Sequence, residues 1–265
     1  MSHTSQGAVL EANHLTKSYS GVPAVAGVSF SIRPGDVLGY LGPNGSGKST
    51  TVKMLCGLLE PTTGQVLYRG HNINDDLVAY KARLGYAPEE ANLYSFLTGW
   101  EYLELVGTLR EMSRARLKEK AESMLRDFAM FPHRHSPISS YSKGMRQRIM
   151  LIAALMHDPE VLILDEPFSG LDVSMALIFR QVVKLLAQSG KAIFFCSPVL
   201  EVVEKICTHL VLLDKGSVVA YDTIDEIRTK GLVPALEEAF LHLTKHLDAD
   251  ALAANIVAAV SAPSR

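Results

Sequence analysis

One glycine-rich segment constrains what this 265-residue chain can fold into more than any other feature: Gly42-Pro43-Asn44-Gly45-Ser46-Gly47-Lys48-Ser49. It fits the pattern G-x-x-x-x-G-K-[ST], follows the apolar run DVLGYL, and precedes a helix-like run that begins TTVKML. In that context glycines let backbone N–H groups turn toward phosphate oxygens, and the helix N-terminus adds its dipole. The segment therefore predicts a phosphate-binding loop between a strand and a helix, and a chance glycine-rich turn is the weaker interpretation.

Two side chains of this loop carry chemistry. Lys48 is suited to reach the β- and γ-phosphates of a nucleotide, where it would also act in catalysis. The hydroxyl of Ser49 is suited to ligate Mg²⁺. Together with Thr50, which follows them, the eight loop residues form the predicted cofactor-binding segment for ATP and Mg²⁺.

A second apolar run ends in two carboxylates. Val161 to Leu164 reads as a buried strand, and Asp165 and Glu166 follow at its tip. Asp165 is suited to hold the Mg²⁺ shell, while Glu166 is suited to polarise an attacking water. Taken alone, the pair could cap a helix, but its position after a phosphate loop favours the catalytic interpretation.

The hydrophobic pattern predicts an α/β protein. Continuous apolar strands alternate with helical runs, which indicates a mostly parallel sheet covered on both faces. Between about Leu97 and His157 the pattern is helical, and after Asp214-Lys215-Gly216 it predicts a small hairpin. We expect one domain over 1–232 with a helical subdomain inserted at about 90–158. An amphipathic helix and an alanine-rich tail are expected over 233–265.

Composition and net charge limit the classes of protein that this chain is expected to belong to. The chain is 48% hydrophobic and 20% charged with a net charge of −2, which gives no electrostatic case for nucleic acid binding. Its three cysteines lack metal-ligand spacing and predict reduced, buried thiols. The N-terminus lacks a signal-peptide pattern, and no apolar run approaches the roughly 20 residues of a membrane span. We therefore expect a soluble, cytoplasmic chain that could dock on a membrane partner.

The order of five motifs resembles the nucleotide-binding domain of ATP-binding cassette (ABC) proteins over about residues 8–230. Beyond the phosphate loop and the Asp165-Glu166 pair, three segments carry the likeness. Tyr141-Ser142-Lys143-Gly144-Met145 stands where the LSGGQ signature of the family stands, Ser169-Gly170-Leu171-Asp172 resembles its D-loop, and Gly85-Tyr86-Ala87-Pro88-Glu89 resembles its Q-loop. In addition, Tyr19 resembles the aromatic residue that stacks on adenine.

The resemblance implies a P-loop NTPase core with a small antiparallel β subdomain and an inserted helical subdomain. It implies two ATP molecules sandwiched between two cassettes, with Ser142 and Gly144 of one completing the site of the other. Glu89 would join Ser49 and Asp165 around Mg²⁺, and Asp172 would lie near the nucleotide. A separate transmembrane permease would hold the cassettes on the inner face of the cell membrane. The segment LEEAFLHLT resembles the end of exporter-type cassettes.

Two positions depart from the family pattern. Glu89 replaces the glutamine of the Q-loop, and a carboxylate still suits Mg²⁺. In the segment IFFCSPVLEVVEKIC, Pro198 replaces the switch histidine that contacts the γ-phosphate and helps to arrange the attacking water. Locally, Ser197 and Pro198 suit the cap and first turn of the next helix.

Three function classes remain open on the sequence. The favoured one is the ATPase subunit of an ABC transporter of exporter type, which docks through its helical insert and the Glu89 groove. The second is a soluble cassette protein that acts on nucleic acid or ribosomes. The third is a cassette that gates association but hydrolyses weakly beside a more active partner, and Pro198 keeps this class open.

Overall fold

A computed structural model describes residues 7–229, and the structural statements below refer to that part of the chain. The amphipathic helix and alanine-rich tail predicted over 233–265 lie outside the described residues. The hairpin predicted to follow Asp214-Lys215-Gly216 lies one strand earlier, because Ser217–Thr223 pairs back with His209–Asp214 and Lys215 and Gly216 form its turn.

The strands of residues 7–229 form two sheets. They are β1 (Leu10–Tyr19), β2 (Val22–Ile32), β3 (Val37–Leu41), β4 (Thr63–Tyr68), β5 (His71–Asn72), β6 (Leu84–Ala87), β7 (Val161–Asp165), β8 (Ala192–Cys196), β9 (His209–Asp214) and β10 (Ser217–Thr223). The larger sheet has the order β10-β9-β3-β8-β7-β6 and is parallel except for the β9–β10 hairpin. The smaller sheet, β2-β1-β4-β5, is antiparallel. This arrangement confirms the predicted α/β fold with an antiparallel β subdomain.

Helices cover the larger sheet. They are α1 (Lys48–Leu55), α2 (Leu77–Arg83), α3 (Gly99–Leu109), α4 (Arg114–Asp127), α5 (Lys143–Leu155), α6 (Val173–Gln188), α7 (Leu200–Ile206) and α8 (Ile224–Thr229). Helices α3, α4 and α5 lie between β6 and β7, in the segment for which the sequence predicts a helical insert. Thr98 starts α3 with a capping box, since its hydroxyl accepts from the Glu101 N–H while the Glu101 carboxylate accepts from the Thr98 N–H.

The central strands are buried on both faces. All five residues of β3, β7 and β8 are buried, and they alternate between two hydrophobic cores. In β8, for example, Ile193 and Phe195 pack into the core that contains the helical insert, whereas Phe194 and Cys196 pack into the core beneath the antiparallel sheet. This double burial explains why these strands are continuously apolar in the sequence.

The structure corrects the predicted start of the helix after β8. Ser197 and Pro198 do not form its cap and first turn, because α7 begins at Leu200 with Val199 as an extended N-cap. The Ser197 hydroxyl instead accepts a hydrogen bond from the Val199 N–H at 3.1 Å. Pro198 therefore lies in the connection between strand and helix.

Candidate functional site

A cavity of about 220 Å³ lies at the edge of the sheet where β3, β6 and β7 end. Because these strands are parallel to their neighbours, their carboxyl ends meet at one edge, where α/β proteins commonly place ligands. The cavity is lined by Ala24, Asn44, Gly45, Gly47, Lys48, Ser49, Thr50, Glu89, Asp165 and Glu166. The structure thus brings six of the predicted loop residues together with the predicted Q-loop and carboxylate residues. The predicted loop residues Gly42, Pro43 and Ser46 do not line this cavity.

Close packing shapes the phosphate-binding loop. A Cβ at Gly47, where φ is 103°, would lie 2.4 Å from the carbonyl oxygen of Ala24. A Cβ at Gly42 would lie 2.5 Å from the carbonyl oxygen of Leu213. The loop is therefore held between β2 and β9 in a conformation that only glycine fits at these positions. Ala24 also lines the cavity, although nothing in the sequence predicts it. It approaches the loop through its backbone carbonyl, and a backbone contact leaves no side-chain pattern in the sequence.

Lys48 is the first residue of α1 and is only 8% exposed. Its ammonium group donates to the carbonyl oxygens of Gly42 and Pro43 at 2.8 and 3.0 Å, so the side chain folds back along the loop. The first turn of a helix has backbone N–H groups without intrahelical partners. The loop therefore joins a cation to a set of backbone donors, which is the chemistry that binds phosphate.

Three carboxyl groups meet the loop from the other side. Asp165 ends β7 and is only 5% exposed, and Glu166 follows in a left-handed conformation with φ at 47°. Burial raises the pKa of both carboxyl groups, and the negative charge of Glu89 raises them further. The Glu166 N–H donates to the carbonyl oxygen of Cys196 at 3.0 Å, which fixes the backbone of Glu166 to β8. Such a cluster of acids favours a bound cation.

These oxygen donors suit Mg²⁺. Within residues 7–229 no three His, Cys, Asp or Glu side chains form a self-sufficient metal site. Magnesium, however, is usually bound by one or two carboxylates together with substrate phosphates and water. The Ser49 hydroxyl and the carboxylates of Asp165 and Glu89 line one cavity with the phosphate loop and would supply such ligands.

The signature segment lies apart from this cavity. Ser142 caps α5, its hydroxyl accepting from the Met145 N–H at 3.2 Å. A Cβ at Gly144 would lie 2.6 Å from the carbonyl oxygen of Gly170, so the signature and the D-loop are in close contact. Neither Ser142 nor Gly144 lines the nucleotide cavity of its own chain.

Two further predicted site residues also lie outside the cavity. Tyr19 is half exposed at the end of β1, with the ammonium of Lys17 5.8 Å from its ring centroid. Asp172 caps α6 by accepting from the Met175 N–H at 2.9 Å, and its carboxylate pairs with Arg148. Pro198 does not line the cavity, and the residues that line it include no histidine.

No helix within residues 7–229 combines the length and the apolar character needed to span a bilayer.

Comparisons with known proteins give a consistent result. A family model described as ABC transporter matches residues 25–169. The chain is 34% identical over 241 residues to the linearmycin resistance ATP-binding protein LnrL of Bacillus subtilis, covering 88% of this chain and 78% of that protein. It is 31% identical to the ABC-type transporter ATP-binding protein EcsA of the same organism, covering 89% and 97%. An uncharacterised ABC transporter ATP-binding protein of Nostoc, all4389, is 38% identical, and the chain spans 62% of its length.

Solved structures agree with the fold. The structure of the ATP-binding subunit of an ABC transporter matches with a TM-score of 0.83 and 32% identity, covering 89% of this chain and all of that one. A dimeric ATP-binding cassette bound to ADP and Pi matches with a TM-score of 0.75 and 24% identity, covering 81% and 98%.

Proposed function

The chain belongs to the ABC transporter family of ATP-binding proteins, and from this premise we propose that it couples ATP binding and hydrolysis to transport by a separate membrane subunit. The observation that carries the proposal is the cavity in which the phosphate loop meets Asp165, Glu166 and Glu89. The phosphate loop supplies backbone N–H donors and the Lys48 ammonium group, and the facing residues supply three carboxylates.

In this proposal each side chain of the cavity has a distinct role. Lys48 leaves its loop carbonyl partners to contact the phosphates, and Ser49, Asp165 and Glu89 hold Mg²⁺, which neutralises phosphate charge when bound. Glu166 holds the attacking water, and its raised pKa suits a group that accepts a proton. Tyr19 stacks on the adenine from the neighbouring strand.

We further propose that ATP joins two cassettes. Ser142 and Gly144 form the start of a helix that presents backbone N–H groups, yet they do not line the cavity of their own chain. A second cassette that brings its own phosphate loop to this surface would place the phosphates of its bound ATP at this helix start. Asp172, which follows the contact between Gly144 and Gly170, would then lie close to the interface.

The membrane subunit would dock beside the Q-loop. A second cavity of about 320 Å³, here called the docking groove, opens between this loop, α3 and α5 and includes Pro88, Glu90, Tyr102, Val106 and Ala153. Exposed apolar side chains lie next to it along the chain, among them Tyr94 and Phe96. A concavity that adjoins the Glu89 segment and combines apolar side chains with the charged Glu90 and Arg110 suits a partner whose movement is coupled to nucleotide chemistry. The resistance function named for LnrL and the LEEAFLHLT segment favour export as the direction of transport.

Pro198 supports a second candidate, a cassette that hydrolyses slowly and works beside a more active partner. Proline has no side-chain donor, and no histidine lines the cavity to take over the role of the switch residue. ATP binding would be preserved, since the phosphate loop and the carboxylates are complete.

Nucleotide binding is tested by calorimetry with ATP and Mg²⁺ on the wild type, Lys48→Ala and Lys53→Ala. Lys53 is an exposed residue of the same helix, so Lys53→Ala removes the same charge without touching the cavity. We expect Lys48→Ala to lose at least tenfold in affinity, about 1.4 kcal/mol, and Lys53→Ala to bind as the wild type does. Equal affinity in all three proteins would refute the site.

The transport role is tested by purifying the tagged chain from membranes of its source organism in mild detergent. We expect one membrane-spanning protein to remain bound through purification, and the reconstituted complex to hydrolyse ATP in liposomes. A chain that recovers no membrane protein would refute this role while leaving the binding result intact.

A further inference from the structure

Glu166 has a backbone conformation that glutamate does not favour at this place in the sequence. Its φ is 47°, in the left-handed region, and the next residue is Pro167. A side chain disfavours the left-handed region, and a proline pushes the residue before it toward extended backbone. Such a conformation persists only where surrounding contacts hold it in place. The contacts of the segment after β7 therefore determine where the Glu166 carboxylate lies.

Two backbone hydrogen bonds and one side chain hold this segment. The Glu166 N–H donates to the carbonyl oxygen of Cys196 at 3.0 Å, and the Ser169 N–H donates to the carbonyl oxygen of Glu166 at 3.0 Å. The third contact comes from Gln147 of α5, whose side-chain amide donates to the carbonyl oxygen of Pro167 at 3.1 Å. Many residue types could make the two backbone contacts, whereas the third depends on the side chain at position 147.

Gln147 is a polar side chain in an otherwise apolar part of α5. It is only 1% exposed, and the helix continues with the buried residues Ile149 and Met150. A buried amide without a partner costs free energy, so its hydrogen bond to Pro167 is maintained in the folded protein. The ring of Pro167 fixes its φ, which leaves one torsion fewer to absorb a shift between its carbonyl group and Glu166. The position of the Gln147 amide is therefore passed on to Glu166.

We propose that Gln147 is a positioning residue for hydrolysis: its hydrogen bond to Pro167 holds Glu166 in the left-handed conformation and so keeps the carboxylate at the nucleotide cavity. The inference rests on the role of Glu166 proposed above and adds the side chain that sets its place. Gln147 itself does not line the nucleotide cavity. Its loss should therefore slow hydrolysis and leave ATP binding unchanged, because only the placement of the base is affected.

Three substitutions at position 147 test the hydrogen bond, and a fourth elsewhere serves as the control. Gln147→Met keeps the approximate length and helix preference of glutamine but has no donor. Gln147→Asn keeps the amide but is one methylene group shorter, so the amide no longer reaches Pro167. Gln147→His places a ring N–H at about the reach of the original amide. The control, Tyr80→Phe, removes another buried side-chain donor, the hydroxyl that bonds to the carbonyl oxygen of Leu55 at 2.8 Å.

Single-turnover hydrolysis, ATP affinity and urea unfolding are measured for each protein, with circular dichroism to show that it is folded. We expect Gln147→Met and Gln147→Asn to hydrolyse ATP on the order of tenfold more slowly than the wild type, with ATP affinity within about twofold. Gln147→His should recover most of the rate. Tyr80→Phe should hydrolyse as the wild type does, although its stability falls by a similar amount. In a Glu166→Gln background, which already lacks the base, Gln147→Met should cause no further loss.

Each other outcome has a defined meaning. A wild-type rate in Gln147→Met and Gln147→Asn, an equal loss in Tyr80→Phe, or no recovery in Gln147→His overturns the positioning role and leaves the function of Glu166 standing. A further loss from Gln147→Met in the Glu166→Gln background also overturns it, because Gln147 would then act by a route other than Glu166. If Glu166→Gln hydrolyses as fast as the wild type, the proposed role of Glu166 fails, and this inference fails with it.

Discussion

Replacing Gly47 by alanine adds one methyl group at the start of α1, where the structure has no room for it. The backbone of Gly47 has φ 103° and ψ 4°, which side chains of L-amino acids rarely adopt, and the added Cβ would lie 2.4 Å from the carbonyl oxygen of Ala24. Gly45 offers a matched comparison in the same loop. Its φ is also positive, at 80°, but a Cβ there meets nothing within 4 Å.

The two substitutions therefore separate backbone strain from steric conflict. Gly45→Ala should cost about 1–2 kcal/mol in the free energy of unfolding, which is the cost of a left-handed residue with a side chain. Gly47→Ala has the same strain and in addition an overlap with a main-chain atom, which adds about 1–3 kcal/mol. Urea unfolding without nucleotide measures both costs, so contacts with ATP do not enter the comparison.

We expect Gly47→Ala to unfold at clearly lower urea than Gly45→Ala with an unchanged slope. Because the added methyl group conflicts with β2 and displaces the loop, Gly47→Ala should also weaken ATP binding more than Gly45→Ala does. If the two variants have the same free energy of unfolding, the close approach of β2 to the loop does not hold in solution, and the reasoning fails.

Three further predictions concern the proposed catalytic base, a buried histidine and a helix cap. Glu166→Gln should slow hydrolysis and accumulate a cassette dimer at saturating ATP, measured by light scattering; a protein that stays monomeric alone and with its membrane partner would contradict the sandwich. Because the folded-state pKa of His157 is lowered from 6.5 to about 4, the unfolded chain binds more protons below about pH 6.5, and stability falls as the pH falls. The wild type should lose about 2 kcal/mol between about pH 7 and pH 5 relative to His157→Gln, and parallel urea profiles would exclude this assignment. Thr98→Ala should lower the free energy of unfolding by about 1 kcal/mol through loss of the α3 cap, and an unchanged urea midpoint would count against it.

The centre of the site could be predicted because its geometry follows from local spacing and from parallel strands. The residues of the phosphate loop are contiguous in the sequence. Asp165 ends a strand whose preceding residues form an unbroken apolar run, which indicates that the strand is buried. Once β3 and β7 are placed in one parallel sheet, their carboxyl ends have to meet. The residues for which the resemblance implies contact with a second cassette, such as Ser142, lie outside the cavity of their own chain.

Other features could not be predicted because tertiary contacts decide them. Helix α2 has seven residues, too few to be stable alone, and it is held by Tyr80, whose buried hydroxyl donates to the carbonyl oxygen of Leu55 at 2.8 Å. The start of α7 follows the burial of Leu200 and Val203, which outweighs the local preference of Ser197 and Pro198 for a cap and a first turn. Neither the hydrogen bond of Tyr80 nor the burial of Leu200 and Val203 can be recognised from the conformational preferences of the local residues.

Pro198 carries the prediction that most affects function. It follows β8 and Ser197 in the connection to α7, on the same edge of the sheet as the cavity, so a longer polar side chain at this position would start from the correct side of the molecule. A group that positions the γ-phosphate and the water commonly contributes on the order of 10²-fold in turnover, about 3 kcal/mol of barrier. Proline supplies no such group, whereas residues of the phosphate loop proposed to bind ATP and the carboxylates proposed to hold Mg²⁺ line the cavity. We therefore expect near-normal ATP affinity and slow hydrolysis in the wild type, with some turnover retained through Glu166.

Steady-state ATPase of the wild type, Pro198→His and Pro198→Ala tests this expectation. Pro198→Ala removes the ring without adding a polar group, so it controls for a change in backbone freedom. If the missing histidine limits the rate, Pro198→His should raise turnover toward 10²-fold while Pro198→Ala stays near the wild type and all three bind ATP alike. Equal gains in both variants would assign the effect to the backbone of the connection. A wild type as fast as Pro198→His would show that Glu166 and the phosphate loop arrange the water without help from this position.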